Sequence, residues 1–173
     1  MTLLSILIHP DPRLKKPCAP VARITPEIET LAADMLATMY DAPGVGLAAP
    51  QVGVLSRICV LDCEKDPEAP RRPLVMVNPE ITWRSEALNT YEEGCLSIPD
   101  QYAEVTRPAE VRVRWLGLDG RMAEREFEGL WATCAQHEID HLEGRLFIDY
   151  LSPVRRQMIT RRMVKLKRER ARA

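Results

Sequence analysis

Apolar residues recur at helical spacing in the segment 25–40, TPEIETLAADMLATMY. The positions that share one face are Ile28, Leu31, Met35 and Met39. Thr25 suits the N-cap and Pro26 the first helical position, because proline lacks the N–H that a helix start leaves unpaired. The pattern predicts an amphipathic helix that ends before Pro43.

Two later segments also carry helical spacing. One covers about 130–143 and is followed by Gly144, a residue type that commonly comes just after a helix end. The other covers about 153–170, where Ile159, Met163 and Leu166 share one stripe. The sequence therefore predicts three helices, two of them in its last third.

Apolar runs of strand length occupy the middle of the chain, at 56–62, 73–79 and 110–120. The last run ends in the turn signal Asp119-Gly120 and alternation resumes after it, so 110–130 is predicted to form a hairpin. The short apolar run Leu3–Ile8 indicates an edge strand or a packed arm. One helix, several strands and two helices, in that order, favour an α+β fold over a doubly wound sheet.

Composition describes one ordinary globular domain. The chain has 173 residues, of which 46% are hydrophobic and 28% charged, and this suits a single core. The segment after residue 153 holds nine Lys/Arg and one Glu, a net charge of +8, which leaves −9 on residues 1–153 within a formal total of −1. We expect one domain over 1–153, with 154–173 as a basic helix and tail of the same domain.

The cysteines and the N-terminus indicate a cytoplasmic protein. Five cysteines are irregularly spaced and odd in number, which is typical of reduced thiols rather than a disulfide framework. The apolar run at residues 3–8 has no basic segment before it. It is also too short for a signal peptide or a membrane span, so we expect no membrane association.

The segment QHEIDHLEG, 136–144, contains the spacing H-E-x-x-H. Residues four apart lie on the same side of a helix, so His137 and His141 can reach one metal ion. Glu138 is about 100° further round the helix and is placed to contact a water molecule instead. A chance match with two structural histidines is the alternative. The chain holds only three histidines, however, and two of them are here.

A third ligand is needed, and the residues that follow offer few candidates. Phe147 stands where a metzincin would carry its third histidine, which excludes that class. Glu143 lies on the same turn as His141 and points elsewhere. Glu169 lies in the Arg-rich tail, a poor setting for a buried ligand. His9 is possible but belongs to the N-terminal arm.

The cysteines offer another set of third ligands. Cys134 lies about 10 Å along the helix axis from His141, too far for one ion, since metal–ligand bonds are only about 2.0–2.3 Å long. Cys59 and Cys63 flank a strand end and are interpreted as core or surface thiols. Cys95 lies in EEGCLSIP, a tight segment bracketed by Gly94 and Pro99, and ranks first.

Three segments together resemble the peptide deformylase family: GVGLAAPQ (44–51), EGCLS (93–97) and QHEIDHLEG (136–144). They match, in order, the family's G-x-G-x-A-A-x-Q, its EGCLS motif in the bacterial type-1 branch, and Q-H-E-x-D-H-L-x-G. The resemblance extends from HPDPRLKKPCAPV (9–21) to LFIDYLSP (146–153). It implies antiparallel strands packed around a central H-E-x-x-H helix, and removal of the N-formyl group from nascent chains that begin with formyl-methionine.

The resemblance also implies roles for individual residues. Cys95, His137 and His141 would bind one divalent metal ion, with Fe(II) the family's usual native metal and Zn(II), Ni(II) or Co(II) as substitutes. Glu138 would act as general base and then as acid. Gln51 and the backbone N–H of Leu96 would stabilise the oxyanion.

By the same resemblance, the pocket for the substrate methionine and the adjoining backbone are formed by a set of mostly small or apolar residues. They are Val45, Gly46, Tyr91, Gly94, Leu130, Thr133, Cys134 and His137. Tyr91 and Thr133 stand where related enzymes often carry aliphatic residues, and Tyr102 where some relatives carry an arginine that contacts the peptide. A Glu93–Arg107 ion pair that holds the Cys95 loop is a further hypothesis.

Parts of the sequence are compatible with other functions. GVGLAA also matches the dinucleotide fingerprint, but it follows a helix and meets Pro50 at once, so we expect no dinucleotide. The basic tail predicts either a solvated helical face or contact with the ribosome near the nascent-chain exit, as the resemblance implies. The remaining alternatives are an endopeptidase that uses Glu169 as third ligand and a ribosome- or RNA-binding module without activity.

Overall fold

The computed structural model describes all 173 residues and contains three α-helices and seven strands. The helices are α1 (Pro26–Asp41), α2 (Gly129–Leu142) and α3 (Pro153–Arg172). The strands are β1 (Gly46–Ala48), β2 (Ile58–Leu61), β3 (Leu74–Arg84), β4 (Leu88–Cys95), β5 (Ile98–Pro108), β6 (Glu110–Leu116) and β7 (Met122–Glu128). The predicted α+β class and all three helices are confirmed.

Every strand pairing is antiparallel. Five strands form one sheet in the order β1-β2-β3-β6-β7, and β4 pairs only with β5. The predicted hairpin over 110–130 is β6–β7, which pairs Glu110 with Glu128 and Leu116 with Met122. β3 runs past the predicted end at 79 to Arg84, with irregular register around Asn78 (φ 51°) and Pro79.

Helix α1 begins as the sequence predicted. The Thr25 side chain accepts a hydrogen bond from the N–H of Ile28 at 3.4 Å, and Pro26 is the first helical residue. Met35 and Met39 are fully buried against β2 and β3. The apolar stripe therefore fixes the helix on the sheet, because burying each such side chain contributes about 1.5–3 kcal/mol.

Helix α2 is the central element. It packs against β1, β2 and β7, and Ala135 and Leu142 have no exposed surface. Gly144, the second residue after its end, has φ +75°, and a Cβ there would lie 2.6 Å from the carbonyl oxygen of Lys15. Glycine is required for both reasons, so the end of α2 is set against the N-terminal segment.

The β4–β5 hairpin was not predicted. The sequence analysis identified only a tight segment around Cys95, whereas β4 and β5 together run from Leu88 to Pro108. The strand signal is weak because buried, inward-facing positions of the hairpin also carry charged residues, Glu93 and Arg107, which interrupt the apolar–polar alternation. The buried positions also include Ile98, Ala103 and Val105, which pack against Ile159 and Met163 of α3.

Two short segments near the sheet edge take defined positions. Gly46–Ala48, within GVGLAA, forms a short edge strand that pairs with β2. The N-terminal residues 3–8 form a packed arm rather than a strand: the Leu7 N–H donates to the Gln51 carbonyl at 2.7 Å. No helix in the structure combines the length and the apolar composition needed to cross a membrane.

Candidate active site

The side chains of Cys95, His137 and His141 meet in the interior. Both histidines project from the same face of α2, and Cys95 ends β4. The two Nε2 atoms are 3.2 Å apart, and the Cys95 Sγ is 3.4 Å from the Nε2 of His141. The three donor atoms lie within 4.8 Å of one another, the only such group of metal-ligating atoms in the chain.

These separations fit a metal ion. With metal–nitrogen bonds of about 2.0–2.1 Å, two nitrogen ligands of a tetrahedral ion lie roughly 3.3 Å apart, and a nitrogen and a thiolate slightly further. The observed 3.2 Å and 3.4 Å match both values. A soft thiolate and two imidazoles suit zinc, iron, cobalt or nickel, so the residues present fit one such ion and leave a fourth position for a reactant.

The other candidates for the third ligand lie elsewhere. His9 bonds through Nε2 to the Thr160 hydroxyl at 2.9 Å, beside α3. Glu143 pairs with Arg57, and Glu169 is exposed on α3 near Lys165. Cys134 is buried and donates to the Val45 carbonyl at 3.5 Å. None of these side chains joins the three donors.

His137 is held from behind by Glu93. The Nδ1 of His137 lies 2.9 Å from a Glu93 carboxylate oxygen. That nitrogen must donate to the carboxylate, which turns the Nε2 lone pair toward Cys95 and His141. Burial disfavours a charged Glu93, but hydrogen bonds from His137 and Arg107 outweigh it and lower its pKa.

Arg107 anchors this arrangement. Its guanidinium donates two hydrogen bonds to Glu93, at 2.7 and 3.0 Å, and one to Asp140 at 2.8 Å. Asp140 also accepts from the Tyr150 hydroxyl at 2.7 Å. The hypothesised Glu93–Arg107 pair is thus present and buried. Asp140 and Tyr150 were missed, although Asp140 lies within the H-E-x-x-H segment.

Glu138 faces the cavity beside the three donors. It is buried, and its Oε2 atom has no hydrogen-bond partner. Burial raises the pKa of Glu138 to about 7, the range that suits a general base near neutral pH. A Cβ on Gly46 would lie 2.4 Å from the other carboxylate oxygen, so only glycine lets β1 pass this close.

Gln51 and Leu96 line the same side of the cavity. The Gln51 side chain accepts from the Ala48 N–H at 2.9 Å and donates from Nε2 to Ser97 at 3.1 Å. That Nε2 also lies 3.5 Å from the Cys95 Sγ. Leu96 lies in the tight turn between β4 and β5, and its N–H donates to no backbone carbonyl. Two donors therefore flank Cys95. Ser97, which orients one of them, was not singled out from the sequence.

A cavity of about 410 Å³ opens onto this cluster. All of the residues expected around the substrate line it, together with Gln51, Cys95, Leu96 and Glu138; they are Val45, Gly46, Tyr91, Gly94, Leu130, Thr133, Cys134 and His137. Tyr102 also lines it, with its ring over Gly94, where a Cβ would lie 2.6 Å from the ring. His141 lies behind His137 and does not line the cavity.

This arrangement is typical of a metallohydrolase site on an α+β fold. Cys95 of β4 and two histidines of α2 converge beside the unpaired carboxylate of Glu138 at an open cavity. The family model described as polypeptide deformylase matches residues 3–157. The chain belongs to the peptide deformylase family and is an enzyme of that kind.

Individual relatives agree with this assignment. A peptide deformylase of Mesorhizobium japonicum is 53% identical over 171 residues, which cover 99% of this chain and 97% of that protein. The crystal structure of an Ehrlichia chaffeensis peptide deformylase in complex with actinonin has a TM-score of 0.93 at 36% identity, covering 97% and 99% of the two chains. A Met-Ala-Ser-bound Acinetobacter baumannii enzyme has a TM-score of 0.82 at 39% identity, covering 87% and 99%.

Proposed function

We propose that this chain is a metal-dependent hydrolase that removes the N-formyl group from the N-terminal formyl-methionine of nascent polypeptides and releases formate. The convergence of Cys95, His137 and His141 beside the buried carboxylate of Glu138 carries the proposal. The Acinetobacter relative, whose structure holds Met-Ala-Ser, supports a peptide that begins with methionine as the occupant of the cavity.

Cys95, His137 and His141 would hold one divalent ion, with Fe(II) proposed as the native metal and Zn(II), Ni(II) or Co(II) as substitutes. Such an ion acidifies water and polarises a carbonyl group. A thiolate and two neutral imidazoles are the ligand states required. Burial lowers the pKa of His141 well below its usual range, which keeps that imidazole neutral.

Glu138 is the proton carrier of the proposed reaction. Its carboxylate takes a proton from the attacking water, whose oxygen bonds to the formyl carbon. The carbon–nitrogen bond then breaks, and Glu138 returns the proton to the leaving amine. The products are formate and a free α-amino group, so the atoms balance with one water consumed.

Gln51 and Leu96 stabilise the charge that develops. As water adds, the formyl oxygen becomes negative, and the Gln51 Nε2 and the Leu96 N–H would donate to it. Removing one donor of this kind costs about 2.7–4 kcal/mol, or about 10²–10³ in kcat. Val45, Leu130, Thr133, Cys134 and Tyr91 would surround the methionine side chain, with the backbone of Gly46 and Gly94 beside the peptide.

Helix α3 is proposed to contact the ribosome near the exit of the nascent chain. Its inner face packs on β5 through Ile159 and Met163, which leaves most of its Lys/Arg side chains exposed. A basic face of this kind favours a polyanion such as ribosomal RNA. This assignment agrees with a cytoplasmic location and with 154–173 acting as part of the same domain as 1–153.

Formate release tests the proposal directly. Protein purified without oxygen and loaded with Fe(II) is expected to release formate from formyl-Met-Ala-Ser. Glu138→Gln should lower kcat about 10²–10⁴-fold while keeping its metal, since Glu138 is not a ligand. Glu143→Gln, on the same helix end and paired with Arg57, is the matched control.

Two results would contradict the proposal. If formate does not appear while unformylated peptides are cut internally, and Glu169→Gln abolishes metal binding, the protein is an endopeptidase. If a folded, metal-loaded sample cleaves nothing but binds ribosomes, it is a binding module that retains the fold. Metal content measured for each variant separates these cases.

A further inference from the structure

One wall of the cavity is a stripe along α2. Leu130, Thr133, Cys134 and His137 all line the cavity, at the spacing that places residues on one helix face. Leu130 is apolar and Cys134 donates its thiol proton to the Val45 carbonyl. Thr133 is the residue on this face that has a hydroxyl group without a hydrogen-bond partner in the protein.

The Thr133 hydroxyl is available to a ligand. A threonine within a helix commonly bonds to the carbonyl one turn earlier. Here the Thr133 side chain makes no hydrogen bond within the protein, and its oxygen is not among the fully buried polar atoms that lack a partner, so it retains exposed surface in a residue that lines the cavity. The contrast is Thr90 on β4, whose hydroxyl is paired with that of Thr106 at 2.8 Å.

A second hydroxyl comes from the β4–β5 hairpin. Tyr91 lines the cavity, and its oxygen has one contact, from the Lys65 ammonium at 3.4 Å. The ammonium can only donate, so the phenolic proton of Tyr91 stays free. Two residues that carry O–H donors therefore line a cavity that is otherwise suited to an aliphatic thioether.

The depth of Thr133 matches the position of the substrate sulfur. Thr133 precedes His137 by four residues, which is about 6 Å along the helix axis. In formyl-methionine, five covalent bonds separate the formyl carbon from the sulfur, and an extended chain of that length spans roughly 6 Å. With the formyl group near His137, the sulfur lies at the level of Thr133.

We infer that the methionine pocket also accepts formyl-methionine sulfoxide, with the Thr133 hydroxyl donating to the sulfoxide oxygen and Tyr91 as a second donor. The inference rests on the proposed function. A thioether accepts hydrogen bonds only weakly, whereas a sulfoxide oxygen accepts strongly. An apolar pocket rejects the sulfoxide because a buried acceptor without a donor is costly, and a free hydroxyl removes that cost. The enzyme would thus process chains whose first residue has been oxidised.

Kinetics on paired peptides test the inference. The ratio of kcat/KM for formyl-Met(O)-Ala-Ser to that for formyl-Met-Ala-Ser is measured with each sulfoxide epimer separately. We expect the better epimer within about tenfold of the sulfide. Thr133→Val keeps the side-chain shape and removes the hydroxyl, so it should lower that ratio about five- to tenfold, as loss of one hydrogen bond predicts. Thr133→Val should also weaken the preference between the two sulfoxide epimers, because a donor on one wall of the cavity can reach the sulfoxide oxygen of only one epimer.

Two further variants sharpen the test. Tyr91→Phe should lower the same ratio to a smaller extent and serves if Thr133→Val does not fold. Thr90→Val, an exposed threonine outside the cavity, should leave the ratio unchanged. A wild-type ratio below about one hundredth, or a ratio unmoved by both Thr133→Val and Tyr91→Phe, would overturn the inference while the deformylase proposal stands. Failure of the sulfide peptide as well would overturn both.

Discussion

Helix α2 and the β4–β5 hairpin supply the three candidate metal ligands, but the two regions are held in place differently. α2 is surrounded by side chains of β2, β3, β6 and β7. The hairpin has one partner for each strand and one exposed face, where Thr90, Glu104 and Thr106 lie. A two-stranded hairpin alone is marginal in water, so its position depends on what it contacts.

The contacts that locate the hairpin are polar on one side and apolar on the other. Arg107 of β5 connects Glu93 of β4 to Asp140 of α2 through one buried and one partly buried ion pair. Ile98 and Val105 pack against α3. The two histidines therefore take their position from the apolar packing of α2. Cys95 takes its position from a hairpin that the ion pairs of Arg107 hold in place. Substitutions in α2 and in the hairpin should therefore destabilise the protein for different physical reasons.

The largest expected effect is on the anchor. Arg107→Ala would leave the buried Glu93 and the partly buried Asp140 without their cation, which should cost about 3–5 kcal/mol of unfolding free energy. Urea denaturation of the metal-free protein measures it. Arg112→Ala is the matched control: Arg112 pairs with Glu126 on the exposed face of β6–β7, and such pairs are worth about 0–1 kcal/mol. Equal costs for the two variants would refute the anchoring role.

A core substitution in α2 is expected to be nearly as costly. Leu142→Ala removes a side chain with no exposed surface, which should cost about 2–5 kcal/mol. The physical cause is lost burial and a residual cavity rather than unpaired charge. Adding salt should therefore leave this penalty unchanged. A penalty that vanished in high salt would show that α2 is held electrostatically instead.

A smaller effect is expected where the two regions meet. Glu93→Gln keeps the size of the side chain but weakens the hydrogen bond that orients His137. Loss of such a partner typically lowers metal affinity about 10–100-fold. Competition with a chelator, using Zn(II) or Co(II), measures the change. Glu92→Gln, the exposed neighbour on the same strand, should leave metal affinity as it is. An unchanged affinity in Glu93→Gln would mean that α2 alone sets the geometry.

The smallest effect is expected within the hairpin itself. Thr90 and Thr106 face each other across β4 and β5, and their hydroxyl groups are 2.8 Å apart. Cross-strand pairs of this kind contribute about 0.2–1 kcal/mol, so Thr106→Ala should lower the unfolding free energy by that amount. Thermal unfolding is the measurement. A loss of several kcal/mol would show that strand pairing, and not the anchor, holds the hairpin.

The sequence by itself determined the three helices, the β6–β7 hairpin and the candidate chemistry of α2. Apolar stripes, caps and a turn signal act over a few residues, so they can be recognised along the chain. The relative positions of His137, Glu138 and His141 could be predicted in the same way, because helix geometry alone places them together. Resemblance to a family supplied the role of Cys95, which local reasoning had only ranked first.

Tertiary structure alone decided where the β4–β5 hairpin lies and what holds it. Its inward-facing positions include the charged residues Glu93 and Arg107, so the apolar–polar alternation is interrupted and carries little signal. The Arg107–Asp140–Tyr150 contacts join residues 33 and 43 positions apart. The free hydroxyl of Thr133 also depends on tertiary structure. The sequence identifies the residue, but only packing decides whether its hydroxyl is hydrogen-bonded within the protein. Local patterns report local hydrogen bonding and burial, whereas a site built across elements depends on contacts that only the folded chain brings together.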